Sequence, residues 1–247
     1  MPFGSTHHPR TNAASLPANT RIYAVGDIHG RSDLLSETID RIEDDLRRRP
    51  IQHAREVYLG DYVDRGPDSK GVIDQLAVRL VQRSAVCLRG NHEAVLESFL
   101  RDDPHTFHSW AQLGALHTLA SYGVSLRSGT ITKSPLELQK SLRHALPRTH
   151  DLFLQCLTNT FSCGDFLFVH AGIRPGLPIL EQNSEDLLWI RDEFLNSTID
   201  HGKIIVHGHT PVDHPQIFNN RINIDTGAWF SGVLTCIAIE GSTVLVL

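Results

Sequence analysis

The chain has 247 residues, of which 40% are hydrophobic and 21% charged, with 23 Lys plus Arg against 28 Asp plus Glu and a formal net charge of −5. At about 150 residues per domain this is one large domain or a core with an insertion, and the ordinary globular balance excludes disorder, collagen-like repeats and small disulfide scaffolds. The acidic balance lacks the phosphate attraction that nucleic-acid scaffolds use, so no nucleic-acid partner is expected.

Residues 1–20 contain neither a basic leader with an apolar run nor a stretch able to span a bilayer; they read as a flexible tail, and no membrane partner is expected. His7 and His8 have no rigid third ligand nearby and read as a solvated pair. From residue 21 short apolar runs alternate with polar ends: RIYAVGD, EVYLGD, AVCLRGN, FLFVHAG and KIIVHGH, each read as a buried strand. Between them, Leu34, Leu35, Ile39, Ile42 and Leu46 recur at helical spacing, as do Val72, Ile73, Leu76 and Leu80. The resulting β-α-β-α-β order requires parallel crossovers, hence an α/β sheet.

Residues 94–160 read as a helical excursion from that sheet. Ser134-Pro135-Leu136-Glu137 is a capping box with Pro at the first helical position, and Pro147 ends the helix it opens. Trp110, Leu113, Leu116, His117 and Leu119 read as a helix face on the core. NRINIDTG, VLTCIAIEG and STVLVL read as strands of a second, largely antiparallel sheet, and 21–247 as one catalytic domain. Cys87, Cys156, Cys163 and Cys236 show no CxxC spacing and read as buried reduced thiols, which suits the cytoplasm.

Each of the five runs places polar residues just past the carboxyl end of a strand, where open α/β sheets hold ligands. Asp27 and His29 are two apart and can face one side of an extended segment. With Asp61, Asp64, Asn91, His92, His170 and His209 they form a carboxylate, imidazole and amide set that suits Mn, Fe or Zn. The set is too rich for one ion; two cations about 3.5–4 Å apart, sharing a carboxylate and a hydroxide, are the usual device for attack on phosphate.

GDIHG, GDYVDRGP, RGNHE, HAG and GHTP, in this order, resemble the metal-dependent phosphoprotein phosphatases, the PPP serine/threonine phosphatases within the calcineurin-like metallophosphoesterases, with the bacterial and phage members nearest in pattern. The resemblance implies a four-layer sandwich of two mixed β-sheets flanked by helices. It also implies a two-metal phosphomonoesterase that hydrolyses phosphoserine and phosphothreonine in proteins, or a small phosphoester, by direct attack of a metal-bridging hydroxide. Two divalent ions are implied, Mn first, with Fe or Zn as alternatives. Asp27, His29 and Asp61 would hold the first, and Asp61, Asn91, His170 and His209 the second. His92 would be the general acid, oriented by Asp64, and Arg65 and Arg191 would clamp the phosphate.

His207 reads as a strand-end or supporting histidine, Arg89 as a structural ion pair, and Asp225 as a turn residue or a neighbour of the site. The competing reading is a symmetrical dinucleoside tetraphosphate hydrolase, whose C-terminal region INIDTGAWFSGVLTC resembles; Asp64-Arg65 and Arg191 resemble the protein phosphatases more. Nucleases and phosphodiesterases of this type often carry GHxH, and Pro211 occupies that last position. A non-catalytic metal-stabilised module would lack a ligand or the acid, and none is missing.

Overall fold

The computed structural model describes residues 14–101, 103–128 and 131–247. His7, His8 and most of the expected tail lie outside the described residues. The chain is packed before residue 21, earlier than the sequence reading placed the boundary. Leu16 is buried among the sheet residues and donates its N–H to the Gly241 carbonyl at 3.0 Å.

The first half alternates as expected: β1 (Thr20–Val25), α1 (Ser32–Arg48), β2 (His53–Tyr58), α2 (Ser69–Arg83), β3 (Val86–Cys87) and α3 (Asn91–Arg101). The excursion then carries α4 (Phe107–Leu113), α5 (Ala115–Ser121), a small hairpin of β4 (Arg127–Ser128) and β5 (Ile131–Thr132), α6 (Pro135–Ala145) and α7 (Arg148–Gln155). The Ser134–Glu137 capping box opens α6. The second half contains β6 (Thr160–Cys163), β7 (Phe166–Val169), α8 (Ser184–Trp189), α9 (Asp192–Leu195), β8 (Ile204–His207), β9 (Gln216–Ile217), β10 (Arg221–Asn223), α10 (Ala228–Ser231), β11 (Cys236–Glu240) and β12 (Thr243–Val246).

Two mixed five-stranded sheets result, ordered β12-β11-β1-β2-β3 and β6-β7-β8-β10-β9. β1, β2 and β3 run parallel, as do β7, β8 and β10, while the outer pairings are antiparallel. The C-terminal strands do not build one antiparallel sheet, contrary to the sequence reading. β10 joins the second sheet parallel to β8, whereas β11 and β12 cross to the first sheet beside β1. The reason is burial on both faces: Ile222 of β10 and Ile237 and Ile239 of β11 all enter the layer between the sheets, and each sheet needs an edge to extend.

Strands buried on both faces read as near-continuous apolar runs, as those of β1 and β7 do. Ile22 and Ala24 point between the sheets, while Tyr23 and Val25 meet the helical layer that includes α1, α2 and the excursion. On the other side Leu167, Val169 and Ile205 pack against Leu187, Ile190 and Phe194 near α8 and α9. The layers are therefore helix, sheet, sheet, helix. Among the described residues no helix is long and apolar enough to cross a membrane.

Phe168 is fully buried between the sheets. Phe168→Ala is expected to cost about 3–5 kcal/mol, read as a lower urea midpoint with unchanged slope. A midpoint within experimental error of wild type would contradict this account of the core.

Candidate metal centre

The site is assembled where β1, β2, β7 and β8 end and where α3 begins. The loop after β1 docks on the loop after β2 through backbone bonds: Ile28 and His29 donate to the Asp61 carbonyl, and Gly30 to that of Tyr62, at 2.8–3.0 Å. His29, Asp61, Asp64, Arg65 and His209 all have φ between +44° and +70°, a left-handed backbone that side chains with a Cβ rarely adopt. Such a conformation costs roughly 1–2 kcal/mol per residue and persists where the surroundings enforce it. Two glycines make room for this crowding: a Cβ at Gly90 would collide with Asp61 Oδ1, and one at Gly208 with Asp27 Oδ1.

Among the described residues, two groups of ligand atoms converge closely enough to hold an ion: His29, Asp61 and His92, and Asp61, His170 and His209. Asp61 belongs to both. Its Oδ2 lies 3.4 Å from His29 Nε2, and its Oδ1 lies 3.4 Å from His170 Nε2. Asn91 Oδ1 completes the second group, 2.9 Å from His170 Nε2 and 3.0 Å from His209 Nδ1. Asp27 is beside these groups but in neither: its Oδ2 accepts the His209 N–H at 3.0 Å, and its buried Oδ1 has no partner. His207 lies outside both and packs edge-on to Phe194, with ring centroids 5.0 Å apart.

The donor set fits cations. His29 Nδ1 and His170 Nδ1 each lie 2.9 Å from a backbone carbonyl, of Val63 and Leu59, so both must donate there. Burial lowers the pKa of both rings, that of His29 to about 3, and keeps them neutral. Each Nε2 is then a bare lone pair, yet it faces the oxygens of Asp61 and Asn91. Acceptors opposed at these distances are stabilised by a cation between them, and carbonyl bonds to the far nitrogen are the usual support of a histidine ligand. Burial likewise lowers His209 to about 2. Burial works against the Asp61 charge, but the surrounding imidazoles outweigh it and hold its carboxyl well below the usual range. Burial, with the nearby carboxylates, raises Asp27 well above the usual range and Asp225 to about 6.

Asp64 and His92 form a second constellation. Asp64 is fully buried, and its carboxylate accepts from Trp110 Nε1 at 2.9 Å, from Thr118 Oγ1 at 2.6 Å and from His92 Nδ1 at 2.7 Å. Burial disfavours the imidazolium of His92, but Asp61 and Asp64 outweigh it and raise its pKa. Its Nε2 faces the centre, 3.7 Å from Asp61 Oδ2, and accepts from Arg65 Nη2 at 3.2 Å. Arg191 reaches the other side, with Nη1 3.4 Å from Thr210 Oγ1. Arg89 pairs with Glu97 at 2.8 Å, as expected of a structural residue.

Sequence reading missed four contributors. Trp110 and Thr118 fix Asp64 from the excursion, where they read as core or went unremarked. Glu93 is buried at the start of α3, and its two oxygens accept the N–H groups of Asp61, Tyr62, Val63 and Gly90 at 2.7–3.2 Å. Its place in RGNHE is the signal that could have found it. Trp229 stacks near Arg65, with the guanidinium carbon 5.6 Å from the ring centroid.

Glu93→Gln replaces one acceptor with an NH2 facing backbone donors, so the Asp61 loop should shift. We expect metal affinity, measured by calorimetry, to weaken about 10–100-fold; wild-type affinity would contradict a positioning role.

A family model described as calcineurin-like phosphoesterase matches residues 20–228. The chain is 25% identical over 245 residues to an asymmetrical bis(5'-nucleosyl)-tetraphosphatase of Oceanobacillus iheyensis, covering 87% of each chain. It is 28% identical over 233 residues to serine/threonine-protein phosphatase 1 of Salmonella typhimurium, covering 89% of this chain and 92% of that one. In fold it is similar to a cold-active protein-tyrosine phosphatase of Shewanella, with a TM-score of 0.61 at 15% identity over 94% of this chain and 80% of that one. This family implies a centre of two metals at the strand ends, where the two ligand groups meet on Asp61. The chain belongs to the calcineurin-like phosphoesterases.

Proposed function

We propose that the chain is a two-cation phosphomonoesterase that releases phosphate from phosphoserine and phosphothreonine in proteins, residues 21–247 acting as one catalytic domain. The observation that carries this reading is the buried Asp64–His92 pair. A seryl or threonyl alkoxide is a poor leaving group and needs a proton as the P–O bond breaks. A nucleotide leaving from a phosphoanhydride departs as a stable anion and has little need of one. Three donors orient Asp64, so His92 Nδ1 is tied and Nε2, which accepts from Arg65 Nη2 at 3.2 Å, is the nitrogen left to take up a proton and pass it to the leaving alkoxide.

Two divalent cations, manganese first, would be held by Asp27, His29, Asp61, Asn91, His170 and His209; they supply positive charge to the phosphate oxygens and lower the pKa of the attacking water. Arg65 and Arg191 flank the centre and orient the non-bridging oxygens through charge-assisted hydrogen bonds. No side chain need be phosphorylated on the way. A cytoplasmic location is part of this proposal, supported by the four unpaired thiols.

A second reading is favoured by the names of relatives. Matches from Oceanobacillus iheyensis and Anoxybacillus flavithermus, the latter 28% identical over 86% of this chain and 88% of that one, are asymmetrical tetraphosphatases. The reaction to weigh is therefore cleavage to a nucleoside triphosphate and a monophosphate, in place of the symmetrical cleavage expected from the sequence.

Manganese-loaded protein offered a phosphoserine peptide and diadenosine tetraphosphate together, followed by phosphorus NMR, is expected to give inorganic phosphate from the peptide first. ATP and AMP as the main products would install the second reading. His92→Asn is expected to lower peptide turnover by about 10²–10⁴-fold, to spare p-nitrophenyl phosphate far more, and to keep metal content unchanged. Equal losses on both esters would remove His92 from the role of acid.

A further inference from the structure

The segment after Asp225 carries a built feature that phosphate hydrolysis does not require. Asp225 Oδ1 accepts the Gly227 N–H at 2.8 Å, and Gly227 and Gly232, with φ of 67° and 73°, bracket the single turn of α10. A Cβ at Gly227 would strike the Phe230 ring, so the turn is closed on that side chain. Arg31 Nη1 donates to the Ala228 carbonyl at 3.0 Å and ties the turn to the loop after β1. The turn holds Trp229 and Phe230 outward, 41% and 61% exposed, with ring centroids 5.1 Å apart at 80°. Two large aromatic rings held in solvent by a glycine-bracketed turn are costly unless something covers them.

Arg65 connects this pair to the chemistry: its guanidinium lies over Trp229 and also contacts His92 Nε2 at 3.2 Å. A phosphate clamped by Arg65 therefore places the group it carries beside the indole. We propose that Trp229 and Phe230 form a stacking platform for the nucleobase of a nucleotide whose phosphate chain enters the metal centre. Every base has a π-face, so an aromatic platform gives affinity without demanding one base, and the Arg65 guanidinium over the indole adds a cation–π contribution. The occupant rests on the second functional reading above, since the named relatives that act on dinucleoside tetraphosphates supply the substrate class.

The test is run on the full chain with two independent readouts. Steady-state kinetics compare diadenosine tetraphosphate with a phosphoserine peptide that has no aromatic residue, and calorimetry follows AMP binding. In Trp229→Ala the ratio of kcat/KM for the dinucleotide over that for the peptide is expected to fall about tenfold through KM, and AMP affinity to fall similarly. Trp229→Phe should restore most of both. An unchanged ratio with unchanged AMP affinity would overturn the platform, and so would equal losses on both substrates, which mark a structural role. Loss confined to a peptide with an aromatic residue beside its phosphoserine would assign the rings to phosphopeptides and also overturn the nucleobase. Failure to hydrolyse either substrate would sink the phosphohydrolase reading; AMP titration would then decide the platform alone, since weakened binding in Trp229→Ala supports it.

Discussion

The Asp61 carboxylate is the constraint on which the site depends. One oxygen faces His29 and the other His170, so a single side chain joins the two ligand groups. Placing it there requires a left-handed backbone at residue 61, and an aspartate would not adopt that conformation unassisted. Four N–H groups gathered on Glu93 hold the loop in place, and the missing Cβ of Gly90 lets the carboxylate sit against α3. The two parallel strand sets exist, in functional terms, to bring four loop ends and one helix start to that carboxylate.

A second device separates proton transfer from cation binding. His29 and His170 are fixed by backbone carbonyls, which leave their Nε2 lone pairs toward the centre. His92 is fixed instead by a carboxylate, which favours its charged form. Imidazoles within one crowded site are thus biased in opposite directions, His29 and His170 toward the neutral form and His92 toward the charged one. The distinction rests on Trp110 and Thr118, because without their bonds Asp64 would be a buried charge with a single donor.

Much of this was legible in the sequence. The strand-end motifs carry their own geometry: a short apolar run fixes where the strand stops, and the polar residues beyond it must lie at the sheet's carboxyl edge. Asn91, His170 and His209 each come from a different motif, and both histidines lie within hydrogen-bond distance of Asn91 Oδ1. What escaped was whatever depends on distant contacts. Trp110 and Thr118 are 46 and 54 positions from Asp64, and an indole in a helical stretch reads as core until its N–H is seen to point at a carboxylate. The left-handed φ of His29 or His209 leaves no mark in composition, since neither is Gly or Asn. The splitting of β10 from β11 and β12 was also invisible, because apolar alternation does not say which of two sheets has the open edge.

The central claim is that Asp61 joins two cation sites. The most direct measurement is the metal content of wild type and Asp61→Asn after equilibration with manganese and removal of free ion. Two ions per wild-type chain, with both weakened together in the variant, is the predicted result; two tightly held ions in Asp61→Asn, or one ion in wild type, would contradict it.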